Sequence, residues 1–209
     1  MFAAAFPTLE QALAMLSRPD LLVGYRSIKD GDEFALEHEE TASFTARNIK
    51  TRRASGAARI VARDLMVRLG FRPRALPKGP TGAPIWPEGI TGSLAHDDGI
   101  AVAAVTSARS ITGVGIDLES AEALAADLMD LVVTPQERTQ IGSDALHGKL
   151  LFTTKEAVYK AVHPLDGLFL EFSDIQVDLA GHKAITRNGR VVEIRFCTAA
   201  DRTIALALT

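Results

Sequence analysis

The chain has 209 residues, 23 Lys and Arg against 26 Asp and Glu, a net charge of −3 and 47% hydrophobic side chains. That content supports one large domain or two small ones and excludes disorder, while the near balance of charge argues against nucleic-acid binding. The single cysteine, Cys197, allows no internal disulfide and suits a reducing, cytoplasmic setting.

In chain order, "MFAAAFPTLEQALAML" is apolar but lacks a positive n-region and contains Pro7 and Glu10. It reads as a short amphipathic helix rather than a signal peptide, with Thr8 as cap and Leu9, Leu13 and Leu16 on one face. No uninterrupted apolar run of about 18 residues occurs, so no membrane span is predicted. "LLVGYRSI" has the composition of a strand. "HEETASFTARNIKTRRASGAARIVARDLMVRLG" is mostly helical, with Ile60, Leu65 and Leu69 inward and Gly70 as the stop. "FRPRALPKGPTGAPIWPEG" carries five of the nine prolines and must be an extended loop, with room for a short hairpin. "ITGSLAHDDGIAVAAVTS" reads as strand, turn, strand around Asp97-Asp98-Gly99.

A further strand, "SITGVGIDLES", is followed by a helix in "AEALAADLMDLVV" and a second one capped by Thr134 with Pro135 in its first turn. "LHGKLLFTTKEAVYKAVHPL" is a helix closed by Pro164. Three terminal segments form a meander, with Asn188-Gly189 as a hairpin signal. The order gives an α+β fold of two comparable halves, residues 1–110 and 111–209.

Four segments carry chemistry. In "GVGIDLE", strand alternation puts Val114, Ile116 and Leu118 on one face and Gly115, Asp117 and Glu119 on the other, the two carboxylates about 6–7 Å apart. Two acids leaving a core repel unless a cation lies between them, and hard oxygen ligands are the Mg²⁺ pattern; for so short and common a motif taken alone, a strand tip ending in solvent is the preferred reading. In "FTTKEAVYK", Glu156 and Lys160 are i,i+4 neighbours, a surface ion pair in the simplest reading. Lys155 points about 100° away from Glu156, so that pair does not explain both. Beside the Asp-x-Glu strand, this helix would add a third carboxylate and two cations, a set able to bind Mg²⁺ and neutralise a pyrophosphate. His96 stands at a strand end in "GSLAHDDG". Arg52, Arg53, Arg59 and Arg63 are basic positions on one helix; a solvated face is the usual explanation and phosphate binding the sharper one.

Together, "RRASGAARIVAR", "KGPTGAPIWPEGITGSLAH", "GVGIDLE" and "FTTKEAVYKAVHPL" resemble the 4′-phosphopantetheinyl transferases, in particular the branch serving siderophore (enterobactin-type) and nonribosomal peptide synthesis. The resemblance runs from about Lys50 to Phe172. It implies two similar α+β halves related by pseudo-twofold symmetry with the ligand between them. It also implies transfer of 4′-phosphopantetheine from coenzyme A to a serine of an acyl or peptidyl carrier protein, with release of 3′,5′-ADP. Asp117, Glu119 and Glu156 match the carboxylates for Mg²⁺ (or Mn²⁺). Glu156 matches the base, with Lys155 and Lys160 at the phosphates. His96 matches the histidine on the coenzyme A phosphates, Arg52, Arg53 and Arg59 fall in the 3′-phosphate segment, and Lys78 in the loop near the adenosine part.

The chain departs from the family pattern at Ala95 and Asp97, where the family usually has Ser or Thr and often Cys, and at Thr51, which takes a basic position. Loss of the hydroxyl removes one phosphate hydrogen bond, and Asp97 would repel a phosphate unless it turns away. With both halves in one chain, a monomer is expected, and residues 124–150 are the candidate docking region for the carrier. Rival readings are a Mg²⁺-dependent nucleotide or pyrophosphate hydrolase and a coenzyme A- or carrier-binding relative without activity.

Overall fold

A computed structural model of the chain describes residues 7–42, 48–199 and 201–209. The start of the N-terminal segment and residues 43–47 of the long helical region lie outside the described residues. Thr8 caps helix α1 (Leu9–Leu16) through a capping box with Gln11, whose reciprocal bonds satisfy two otherwise orphaned backbone donors. Strand β1 (Leu21–Ser27) is followed by a 3₁₀ turn (Asp32–Ala35) and by α2 (His38–Ala42) and α3 (Ile49–Arg68). Ile60 is only half-buried; the inward stripe of α3 is Ala54, Ala57, Ala58, Val61, Ala62, Leu65 and Met66. Small residues dominate it, so the helix lies close to its sheet.

The proline-rich loop contains a small hairpin. The Gly79 N–H donates to the Ala83 carbonyl at 2.8 Å and the Ile85 N–H to the Pro77 carbonyl at 2.8 Å. Strands β2 (Thr91–His96) and β3 (Ile100–Thr106) turn at Asp97–Gly99 and join β1 in an antiparallel sheet of order β1-β3-β2. The second half holds β4 (Val114–Ser120), α4 (Ala126–Val132), α5 (Pro135–Ile141), α6 (Ala145–Asp166), and strands β5 (Ile175–Asp178), β6 (Lys183–Thr186), β7 (Val191–Ala199) and β8 (Arg202–Leu208), in a sheet of order β4-β8-β7-β6-β5. The fold is therefore α+β, as expected, with unequal sheets of three and five strands.

Two boundaries differ from the sequence reading. The helix expected over 121–133 begins only at Ala126. Pro164 does not close α6, which continues to Asp166 and ends on Gly167 at φ 64°. A proline this near the end forfeits only its own bond to the Lys160 carbonyl, and the left-handed glycine provides the stop.

Strands β2 and β4 run side by side in the same direction, with Thr91–Leu94 near Thr112–Val114 and His96 near Leu118 and Glu119. The sheets share a core there. Val23, Ala95, Val102 and Ala104 from the first sheet meet Val114, Ile116, Leu118, Ile204 and Leu206 from the second, and Leu13 and Leu16 of α1 pack against the same cluster. The opposite faces are covered by α3 and α6. The sandwich thus places the C-terminal ends of β2 and β4 at one mouth between the halves.

Candidate active site

The two glycines of "GVGIDLE" determine how β4 meets α6. A Cβ on Gly115 would stand 1.8 Å from the Ala157 carbonyl oxygen, and one on Gly113 2.3 Å from that of Ala161. No side chain fits, so the helix backbone lies directly on the strand. Asp117, next on the same face of the strand, is consequently pressed against α6. It is 6% exposed. Its Oδ1 accepts a 2.7 Å bond from Lys160 Nζ, which also donates to the Ile116 carbonyl at 3.2 Å. Its Oδ2 is buried without a hydrogen-bond partner among the described residues.

Glu119, one strand repeat further on, receives Lys149 Nζ at 3.5 Å. Glu156 is half-buried on the stripe of α6 between Lys149 and Lys160. The three carboxyls lie within each other's field. Burial, and then the charge of Asp117, raises the proton affinity of both Glu119 and Glu156; Glu119 adds to the effect on Glu156. Asp117 is itself raised by burial, against the pull of Lys160. Among the described residues, no three His, Cys, Asp or Glu side chains close tightly enough to form a ready-made ion cage. The donor chemistry nevertheless fits a hard divalent cation: three carboxylates, one of them with an orphaned buried oxygen, raised by desolvation and mutual repulsion that a cation would relieve.

Between the halves lies a cleft of about 760 Å³ lined by Asn48, Lys50, Thr51 and Arg53 at the start of α3, by His96, and by Glu119. The His96 ring reaches solvent at this mouth. Burial on its other sides, followed by the cations Lys160 and Lys78 and a weaker effect of Arg59, holds it below its usual value, with Asp97 opposing. It is therefore a neutral imidazole at neutral pH, able to donate an N–H to an anion. Lys78 stands on the exposed side of the small hairpin; partial burial and the charge of Arg59 lower it. A second chamber, of about 280 Å³ and mainly apolar, lies between that hairpin, Trp86, and Tyr159, Lys160 and Pro164 of α6.

Some expected site residues are placed differently. Lys155 is fully buried, and its ammonium donates to Glu137 Oε2 at 2.7 Å and to the carbonyls of Val132 at 2.7 Å and Phe172 at 2.9 Å. All three protons are used inside the second half, so the geometry does not put Lys155 at a phosphate. Arg59 is 3% exposed and donates to the Leu76 carbonyl from Nε and Nη2 and to the Ser55 carbonyl from Nη1. It ties the proline-rich loop to α3 and reaches the cleft only through its field. Arg53 lines the cleft but is paired with Asp30 at 2.7 Å and Glu33 at 3.0 Å. Arg52 is half-buried with its Nε enclosed and lacking a hydrogen-bond partner among the described residues.

Lys149 was missed by sequence reasoning. The signal was available: Lys149, Thr153, Glu156 and Lys160 are spaced i, i+4, i+7, i+11 and share one face of α6. Asp97 lines the cleft beside His96, but its carboxylate is not bare: Oδ2 accepts from Arg202, 105 residues downstream.

A carboxylate-bearing strand thus lies flush against a Lys-Glu helix, beside a cleft whose lining mixes cations and carboxylates. The profile of the 4′-phosphopantetheinyl transferase N-terminal domain matches residues 39–106, and that of the 4′-phosphopantetheinyl transferase superfamily matches residues 113–207. The chain is 39% identical over 144 residues to 4′-phosphopantetheinyl transferase Npt of Nocardia iowensis, covering 67% of this chain and 65% of that protein. It is 36% identical over 153 residues to 4′-phosphopantetheinyl transferase Svp of Streptomyces mobaraensis, covering 70% and 62%. With enterobactin synthase component D of Salmonella typhi it shares 30% over 142 residues, 65% and 57%. The matched region spans somewhat less than two-thirds of each relative. The chain belongs to the 4′-phosphopantetheinyl transferase superfamily.

Proposed function

We propose that the chain transfers 4′-phosphopantetheine from coenzyme A to a serine hydroxyl of an apo acyl or peptidyl carrier protein. The observation carrying this reading is the convergence of Asp117, Glu119 and Glu156 from β4 and α6 beside a cleft lined by Lys50, Arg53 and His96. Family membership supports it.

Asp117, Glu119 and Glu156 would hold a divalent cation, Mg²⁺ or Mn²⁺. When bound, such an ion neutralises pyrophosphate charge and stabilises the leaving oxygen. The chain's own residues do the rest. Neutral His96 donates an N–H to a phosphate oxygen. Lys160, which neighbours Asp117, would bring its ammonium to the same oxygens. Glu156, whose surroundings raise its proton affinity, takes the serine proton. The serine oxygen then bonds to the phosphorus bearing pantetheine, the bond from that phosphorus to the bridging oxygen breaks, and 3′,5′-ADP leaves. The adenosine part belongs near Lys78 and the adjoining apolar chamber.

The residues 1–110 and 111–209 act as the two walls of this site in a single chain, which makes a monomer sufficient. No helix of the described residues is long and apolar enough to cross a membrane, and with one cysteine the cytoplasm remains the proposed setting. Siderophore and nonribosomal peptide carriers are the proposed acceptors. Exposed Leu128, Leu131 and Leu146 lie within the 124–150 region proposed to dock them. The test is incubation with fluorescent coenzyme A, Mg²⁺ and a panel of apo carriers. Label on a carrier is expected; absence of label on every carrier removes the assignment, and release of phosphopantetheine without a carrier would favour a hydrolase.

A further inference from the structure

Asp97 follows His96 directly and lines the same cleft. A bare carboxylate there would oppose an anionic ligand. Its Oδ1 accepts from the N–H groups of Gly99 and Ile100, each at 2.7 Å, and its Oδ2 accepts from Arg202 Nε at 2.5 Å. Both side chains are about one-fifth exposed. Arg202 opens β8 opposite Ser120 of β4, one position beyond Glu119. The ion pair therefore runs from the turn that carries His96 to the sheet that carries Asp117 and Glu119. Arg202 Nη1 also donates to Asp201, at 2.6 Å to Oδ2 and 3.0 Å to the carbonyl, which fixes the guanidinium from behind.

We propose that Arg202 is a positioning residue of this site: it turns the Asp97 carboxylate out of the ligand's path, neutralises it, and locks the His96 end of β2 to the carboxylate-bearing sheet. The inference rests on the transferase reading and deepens it. It also accounts for how an acidic residue is tolerated next to a phosphate-binding histidine. Two charges a few ångströms apart near a protein surface interact strongly enough to change an equilibrium on the order of tenfold.

The experiment uses the full chain, the variant Arg202→Met, Asp97→Asn, and the double variant. Transfer is measured with coenzyme A varied, and thermal unfolding is measured without ligand. Arg202→Met is expected to raise KM for coenzyme A about tenfold with kcat much less affected, because the unpaired carboxylate repels the phosphates. Adding Asp97→Asn is expected to bring KM back to within about threefold of the wild type, since the amide oxygen still accepts from Gly99 and Ile100 but carries no charge. In ligand-free protein the two substitutions should be non-additive in Tm, with Arg202→Met costing less in the Asp97→Asn background. A KM rise that Asp97→Asn does not rescue, or additive losses in Tm, overturns the proposal. Failure of the wild type to transfer overturns the transferase reading instead, and the unfolding cycle then judges the ion pair by itself.

Discussion

Asp117 presents one oxygen to Lys160 and leaves the other enclosed without a donor. A folded protein tolerates such an atom where it serves a ligand, because leaving it unsatisfied costs about 1–3 kcal/mol or more. Replacing Asp117 with Asn should therefore separate stability from activity. Carrier labelling should fall at least about a hundredfold, the scale for removing a preorganised electrostatic contribution, while Tm stays equal or rises. A simultaneous collapse of Tm would mean that the carboxylate is structural. The strand motif made Asp117 and Glu119 legible in the sequence, since alternation alone puts them on one face. It did not show that Lys155, beside Glu156 in the chain, turns its ammonium inward to Glu137, because a helix places consecutive residues on different faces and only packing says what each face meets. Cys197 lies on another part of this scale. Its thiol, pushed up to about 11 by burial and donating to the Ala12 carbonyl, should resist alkylation at pH 8 in the native state and react on unfolding.

At the scale of elements, the site depends on α6 lying flush on β4. Gly115→Ala would force a carbon to within 1.8 Å of the Ala157 carbonyl oxygen. Neither backbone moves without disturbing the other, so a loss of about 3 kcal/mol in urea unfolding is expected together with loss of transfer. A second support is Glu137. Its Oε2 takes the Lys155 ammonium and the Thr134 N–H, and its Oε1 the Val177 N–H, so one carboxylate joins α5, α6 and β5. Glu137→Ala strands a buried ammonium and should cost about 3–5 kcal/mol, with Glu137→Gln milder because it keeps hydrogen-bond acceptors. The caps at Thr8 and Thr134 were readable from the sequence; the reciprocal bonds from Gln11 and Glu137 that complete them were seen only in the structure. The burial of Arg59 and the course of α6 past Pro164 were not readable in the sequence, because both follow from neighbours remote in the chain or from how near the helix end the proline falls.

For the whole molecule, three carboxyls with raised proton affinity, Asp117, Glu119 and Glu156, stand on the packed elements β4 and α6. Their pKa values are raised on folding, so they contribute stability that is fully present below the ordinary carboxylate range and is lost as pH rises through their higher folded values. The proposed divalent ion would bind the ionised forms and reverse that loss. The Tm increase caused by Mg²⁺ in the presence of coenzyme A should thus grow with pH across this window, with protons released on binding; a pH-independent increase would place the ion elsewhere. The α+β class and the meander were visible in the order of predicted elements, whereas the shared core along β2 and β4, and the Arg202 bond across it, arise only when the sheets are brought together. The most direct measurement is isothermal titration of Mg²⁺ into the chain saturated with coenzyme A, repeated with Asp117→Asn, Glu119→Gln and Glu156→Gln. One ion per chain in the wild type, with affinity weakened at least about tenfold by each single substitution, is the predicted result. Unchanged affinity in all three variants would contradict it.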